Sequence, residues 1–410
     1  MKIAFFLPNK NIQSVDCKNV EMGNPGIGGS EYSAILIAAS LCRKGNLDVV
    51  LLTEEDGIFP VGLKWVKCKS LESTIKYVIE NRFDYLVVDG KFLTEYIVLK
   101  YHNVNFLAWA NTFIPPGKWG FLARHSNINK VVNVGKEELE QTKAYLGLYK
   151  KSCYVYNAVP TGILAKYPGL KPNKQRKANV VYIGSLIPSK GFHLLAKAWN
   201  VIIKEVPEAQ LYVIGSGNLY GRGRKLGKWN IADDQYEEEF MPYLTSGGKV
   251  LPSVHFLGIM GDEKYDILSE CKVGVPNPSG VSETFGYTAV EMEFMDCEVV
   301  TIKCPGYLDT VCKKENLYDN PDDLADKVIS LLKSQSDDYL RVLSYIDRFS
   351  VKAVVAAWEK LFFSLSPLQD TRSKVDKVYD AIKLCGLEVY KVTYLALRCL
   401  YRKTIKNKLR

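Results

Sequence analysis

Short apolar, β-rich runs alternate along this chain with longer segments of helical period, and that alternation is the pattern of a parallel sheet with crossover helices. Strands are expected near residues 2–7, 49–53, 84–88, 104–109, 130–134 and 153–156, with helices over 30–44, 71–81 and 136–146 among them. Pro160 to Lys177 is rich in Pro, Gly and Lys and reads as a linker. A second series follows, with strands near 179–183, 210–214, 253–257, 272–276 and 298–302, and helices near 190–205, 262–270, 285–296 and 321–334. The prediction is an α/β chain of two doubly wound domains, residues 1–165 and 166–349, facing across a cleft. Open α/β sheets bind ligands beyond the carboxyl ends of their strands, so the informative residues are those just after strands.

Several classes are excluded first. The longest apolar runs, such as Ala34 to Ala39, fall far below the ~20 residues that span a bilayer. The net charge is +9, but residues 391–410 hold seven cations and no acid, which leaves +2 for the other 390 residues. The body is nearly neutral and no nucleic-acid partner is expected. Ten cysteines lie scattered with no C-x-x-C pair, and four histidines lie far apart, so neither a zinc site nor a disulfide framework is expected. No Asp-x-Asp follows a strand, and no metal or other cofactor is expected. Met1 to Pro8 is too short in its apolar part for a signal peptide and reads as a first buried strand, which points to a cytoplasmic protein.

Four segments carry candidate chemistry. Asn24-Pro25-Gly26-Ile27-Gly28-Gly29-Ser30-Glu31 precedes an apolar helix; it suits a backbone approaching an anion, and equally a loop capped by Ser30. Val180 to Gly191 reads as strand, Gly184-Ser185 turn and helix start, with Lys190 set either to meet phosphates or to stand in solvent. Ile214-Gly215-Ser216-Gly217 imitates a dinucleotide fingerprint, but its third glycine comes one position late and Arg222 to Gly227 makes a poor crossover helix. The sharpest segment runs from Pro276 through Glu283-Thr284-Phe285-Gly286-Tyr287 to Glu291. With a helix opening near Phe285, eight residues at ~1.5 Å rise set the two carboxylates about 12 Å apart. That separation suits two groups on one extended ligand, such as the sugar and ribose of a nucleotide sugar, with the amides of Phe285, Gly286 and Tyr287 facing the phosphates. A capping glutamate followed by a solvated one is the plainer alternative.

In this order the segments resemble glycosyltransferase family four, retaining enzymes of the GT-B fold with two Rossmann-like domains. Glu283-x7-Glu291 is similar to the family's E-x7-E motif, Gly184 to Gly191 to its phosphate turn, Gly28-Gly29-Ser30-Glu31 to its N-terminal glycine loop, and Tyr156 to Pro160 to its pre-linker sequence. The resemblance covers about residues 1–363. It implies a metal-independent transfer from a nucleotide-sugar donor to a glycan or lipid-linked acceptor in cell-surface polysaccharide synthesis. Glu283 would meet the donor sugar, Glu291 the ribose, Lys190 the diphosphate, and Gly29 the phosphates from the opposite domain. Two departures stand out. Ser185 occupies the family's usual arginine position, which leaves Lys264 or Arg222 to compensate, and Asn111 stands in the region where many members carry a histidine. Asn111 is thus an acceptor-side candidate that can bind a sugar hydroxyl but not act as a base.

The resemblance also has Ser350 to Phe363 returning as a helix to the first domain. Beyond it, residues to 410 repeat apolar positions at roughly helical spacing and end in the basic stretch 391–410. An amphipathic basic helix of this kind lies on an anionic membrane surface, or packs with its basic face in solvent. The rival functions are a nucleotide-sugar epimerase of the same fold, a nicotinamide oxidoreductase and a non-catalytic nucleotide-sugar binding protein.

Overall fold

A computed structural model describes residues 1–365 except 282, 336 and 337, together with 378, 382–386, 389 and 393. The basic stretch therefore lies outside the described residues.

The first half builds one parallel sheet from β1 (Lys2–Leu7), β2 (Asp48–Thr53), β3 (Trp65–Lys67), β4 (Tyr85–Asp89), β5 (Phe106–Ala110), β6 (Ile128–Asn133) and β7 (Ser152–Tyr154). Their spatial order is β3-β2-β1-β4-β5-β6-β7. These strands read as continuous apolar runs because helices cover both faces. α1 (Gly29–Lys44) is buried from Tyr32 to Leu41, since it lies between the sheet and a later helix. α2 (Leu71–Glu80) opens where Ser70 Oγ accepts the Ser73 N–H. The short edge strand β3 and two short helices, α3 (Glu95–Lys100) and α4 (Pro116–Arg124), were not expected, whereas α5 (Lys136–Lys143) was.

The second sheet contains β8 (Asn179–Ile183), β9 (Gln210–Ile214), β10 (Val254–Gly258), β11 (Val273–Gly274) and β12 (Glu298–Val299), in the order β10-β9-β8-β11-β12. Its helices include α6 (Phe192–Glu205), α7 (Asp234–Leu244), α8 (Lys264–Glu270), α9 (Tyr287–Phe294), α10 (Pro305–Thr310), α11 (Leu324–Lys333) and α12 (Tyr339–Ile346). The crossover after β9 runs nineteen residues before α7 begins at Asp234, so no helix follows Gly215-Ser216-Gly217 as a dinucleotide fingerprint demands. Gly215 has another reason to be glycine. Its φ is +140°, and an added Cβ would fall 1.8 Å from the Gly184 carbonyl oxygen.

α13 (Val351–Ser364) returns to the first sheet, capped by Ser350 Oγ accepting the Ala353 N–H. Its Trp358 packs edge-on to Trp109 at 5.0 Å and to Phe5 at 5.8 Å. Glu359 pairs with Lys44 at the end of α1 and accepts from Asn46. Where the chain leaves and re-enters the first domain the two passages lie side by side, and the Val159 N–H donates to the Phe349 carbonyl at 2.8 Å.

Candidate functional site

The strand order of the second sheet reverses between β8 and β11. A crevice forms at such a point because the crossovers on either side leave in opposite directions. The segments after these strands carry Gly184, Ser185 and Lys190 on one side and Asn277 to Glu283 on the other. The first domain closes the crevice with Gly26, Ile27 and Gly29, leaving a cavity of about 130 Å³.

Lys190 and Glu283 meet inside it, Nζ to Oε2 at 2.8 Å. Asn277 Nδ2 donates to the same oxygen at 3.0 Å. Burial penalises the Lys190 ammonium, but the Glu283 charge and hydrogen bond outweigh that and hold its pKa above the usual lysine range. Lys190 ends a 3-10 turn, Pro188–Lys190, and Gly191 then takes φ +67° to start α6. A Cβ at Gly191 would lie 2.6 Å from the Ser279 backbone nitrogen, so glycine is what brings the lysine turn against the Glu283 loop.

Glu291 lines the same cavity from the second turn of α9. Lys264 Nζ lies 2.7 Å from its Oε1, and the Tyr265 hydroxyl donates to that oxygen at 2.8 Å. Ser185 is buried, and its hydroxyl donates to the Ser216 carbonyl at 3.3 Å. Across the gap, Asn24 Oδ1 accepts the N–H groups of Gly26 and Ile27 at 3.0 and 2.9 Å, which orders the glycine loop. Among the described residues no three His, Cys, Asp or Glu side chains gather as a metal site.

The structure thus brings Gly29, Gly184, Ser185, Lys190, Glu283, Tyr287 and Glu291 to one cavity. Four expected members stand elsewhere. α9 opens at Tyr287 rather than Phe285, so the straight-helix spacing does not apply between Glu283 and Tyr287. Of the residues that open α9, Tyr287 and Thr288 line the cavity. Thr284 is buried and its hydroxyl donates to the Asn111 carbonyl at 2.8 Å. Phe285 packs among Tyr287, Tyr156 and Phe349. Gly286 adopts φ +85° against Tyr307 as the N-cap of α9. Gly28 lies behind the Glu31 carboxylate and Tyr220. Asn111 lines a separate cavity in the first domain. Of the two proposed replacements for an arginine at 185, Lys264 lines the cavity but is paired with Glu291. Arg222 instead donates across the domains to the Gly26 carbonyl at 2.6 Å.

Residues 177–334, which hold Lys190, Glu283 and Glu291, match the family model of glycosyl transferases group 1. The match supports a glycosyltransferase. An uncharacterized glycosyltransferase of Haemophilus influenzae is 24% identical over 370 residues, covering 81% of this chain and 95% of that protein. The crystal structure of Anabaena Alr3699/HepE in complex with UDP and glucose covers 89% of this chain and 100% of its own, with TM-score 0.61 at 16% identity. A glycosyltransferase from Rickettsia africae gives TM-score 0.64 at 14% identity, over 89% of this chain and 99% of its own. WaaG, a glycosyltransferase involved in lipopolysaccharide biosynthesis, gives 0.58 at 12% identity, over 88% of this chain and 100% of its own. The fold is GT-B, with two Rossmann-like domains facing each other.

Sequence reasoning passed over the contacts that hold this glycosyltransferase fold closed. The Tyr287 hydroxyl bonds Ser33 of α1, and Ser33 Oγ donates to Asn157 Oδ1 at 2.9 Å. Asp309 of α10 accepts the Glu137 N–H at 2.9 Å and the Tyr156 hydroxyl at 3.2 Å. Neither pairing has a local signal. Asn277 was also missed, although its place in the same strand-end loop as Glu283 is a signal that could have found it.

Proposed function

We propose that this protein is a retaining glycosyltransferase of family four. It moves a sugar from a nucleotide-sugar donor to a hydroxyl of a glycan or lipid-linked acceptor, in cell-surface polysaccharide synthesis at the cytoplasmic face of a membrane. The observation that carries the reading is the Lys190–Glu283 pair, with Glu291 in the same cavity at the reversal of the second sheet. In this reading Lys190 leaves Glu283 for the donor diphosphate, and the freed carboxylate accepts the sugar hydroxyls. Glu291 uses Oε1 for Lys264 and Tyr265, so Oε2 is the oxygen for the ribose hydroxyls. Negative charge growing on the leaving diphosphate meets Lys190 and the amides opening α9, groups already in place before reaction. The step is a same-face displacement: the acceptor oxygen–C1 bond forms as the C1–phosphate oxygen bond breaks, and the acceptor proton passes to the leaving phosphate. No metal ion takes part.

Solved relatives of this fold were crystallised with UDP and glucose and with UDP-glucose, so UDP-glucose is the first donor to test. The experiment incubates the protein with labelled nucleotide sugars, with and without membrane lipid, and reads the product anomer by NMR. Sugar transferred with its anomeric configuration kept supports the reading. Release of an epimerised free sugar, or donor bound and never consumed, refutes it.

A further inference from the structure

The charged residues that line the donor cavity cancel, since Lys190 pairs with Glu283 and Lys264 with Glu291. The diphosphate of a nucleotide sugar is doubly anionic. It meets no net counter-charge there, even when Lys190 turns from Glu283 towards it, and taking an uncompensated anion out of water is costly. Ser185 brings no charge, and its hydroxyl is engaged by the Ser216 carbonyl. A further cation is needed.

The crossover after β9 holds such cations. Residues 217–232 include Arg222, Arg224, Lys225 and Lys228 and no acid, and none of the four has an ion-pair partner among the described residues. The run is held at both ends. At the far end the Glu237 carboxylate accepts the N–H groups of Trp229, Ile231 and Ala232 at 2.8, 2.8 and 3.0 Å. At the near end Tyr220 lines the donor cavity, and its carbonyl accepts Asn11 Nδ2 of the first domain at 3.1 Å. Its ring lies against Gly28, where an added Cβ would come within 3.2 Å of it. The Tyr220 hydroxyl stands near enough to Lys190 and Glu283 for both charges to act on its pKa, which burial raises.

Two residues further on, Arg222 is carried to the cavity wall. Its Nη2 donates at 2.6 Å to the carbonyl of Gly26, a residue that lines the cavity from the first domain. Arg224 instead folds back over Gly221, its Nε 2.5 Å from where a Cβ there would stand. On a neutral carbonyl a guanidinium makes one charge-assisted hydrogen bond. On a diphosphate it makes parallel bonds and gains an opposite charge, so the diphosphate is the stronger partner for Arg222.

We propose that Arg222 is the second diphosphate-binding cation of the donor site. It exchanges the Gly26 carbonyl for the phosphates as the donor enters, and its loop then covers the bound donor. The proposal rests on the donor reading above and supplies the charge that reading lacks.

The test separates phosphate from nucleoside. Calorimetry measures UDP, and saturation-transfer NMR measures uridine, which has the same base and ribose and no phosphate. The full-length parent is compared with Arg222→Ala, Arg222→Lys and Arg224→Ala. Arg222→Ala weakens UDP binding about tenfold or more and leaves uridine within about twofold, Arg222→Lys recovers part of the loss, and Arg224→Ala leaves both ligands within about twofold. Limited trypsinolysis gives a second reading on the unaltered chain, in which UDP slows cleavage after Arg222 and uridine does not. Equal UDP affinity in the parent and Arg222→Ala, an equal loss in Arg224→Ala, or uridine weakened as much as UDP overturns the proposal and leaves the donor reading standing. A parent that binds no UDP overturns the donor reading itself.

Discussion

Replacing Glu283 by Gln keeps the shape of the side chain and removes its charge, so it isolates what the carboxylate does. In the free protein that carboxylate holds Lys190 at 2.8 Å and Asn277 at 3.0 Å, and the two charged side chains are only 15% and 18% exposed. Hydrogen bonds to a charged group are worth about 1.5–3 kcal/mol each. Two sugar hydroxyls bound by the carboxylate as the donor reacts therefore stand to lose about 3–6 kcal/mol in the variant, a fall of roughly 10²–10⁴ in kcat/KM. The fold loses less. Glu283 sits in a loop at a cavity edge, and taking its charge from the largely buried Lys190 costs about 1–3 kcal/mol, which lowers Tm by about 2–10 °C. Without Glu283 to oppose burial, the Lys190 pKa drops, which deepens the loss above neutral pH. The assay varies UDP-glucose at saturating acceptor and records melting alongside. Glu283→Ala also removes the Asn277 contact and goes the same way. A variant that transfers sugar with the parent kcat/KM, or whose loss follows a large fall in Tm, refutes the argument.

Burial raises the Glu293 carboxyl to about 8, while its Oε1 accepts the Cys312 N–H at 2.7 Å. The native state therefore holds a proton that the unfolded chain releases near pH 4.5, and stability falls as pH rises from there to about 8, by up to about 1.4 kcal/mol per unit. Glu293→Gln flattens that slope and raises Tm at pH 8 relative to pH 5.5; an equal Tm change at both pH values contradicts it. Transfer activity survives excess EDTA, and loss that manganese restores would show that a metal takes part. Truncation after Ser366 removes the basic stretch, each cation of which adds about 1 kcal/mol near an anionic surface. The full-length protein sediments with anionic vesicles at low salt and not at high salt, whereas equal sedimentation of both forms removes the membrane reading.

The two parallel sheets were legible because most of the long strands are largely apolar runs of five or six residues between helical segments. β3 escaped because Trp65–Lys67 is a three-residue edge strand that leaves the alternation too little to show. α3 and α4 are six and nine residues long, and α4 opens on Pro115-Pro116, which reads as a break. Glu283 and Lys190 were legible as polar residues just beyond strands. Their pairing was not, since it joins positions 93 apart. The Ser33–Tyr287 and Glu137–Asp309 contacts join residues 254 and 172 apart and depend on how the two domains meet.

The return of α13 to the first sheet bears on how the protein is made. Trp358 and Phe362 fill the first domain's core beside Phe5, yet they are synthesised after the whole of the second domain. At roughly 5–20 residues per second, the roughly 200 residues between the linker and α13 take about 10–40 s to emerge. During that interval the second sheet can complete its own core, while the first presents Phe5 and Trp109 to solvent without their cover. A nascent chain of this protein therefore finishes its second domain before its first, and the window in which a chaperone has an apolar face to hold is set by the time to translate that insertion.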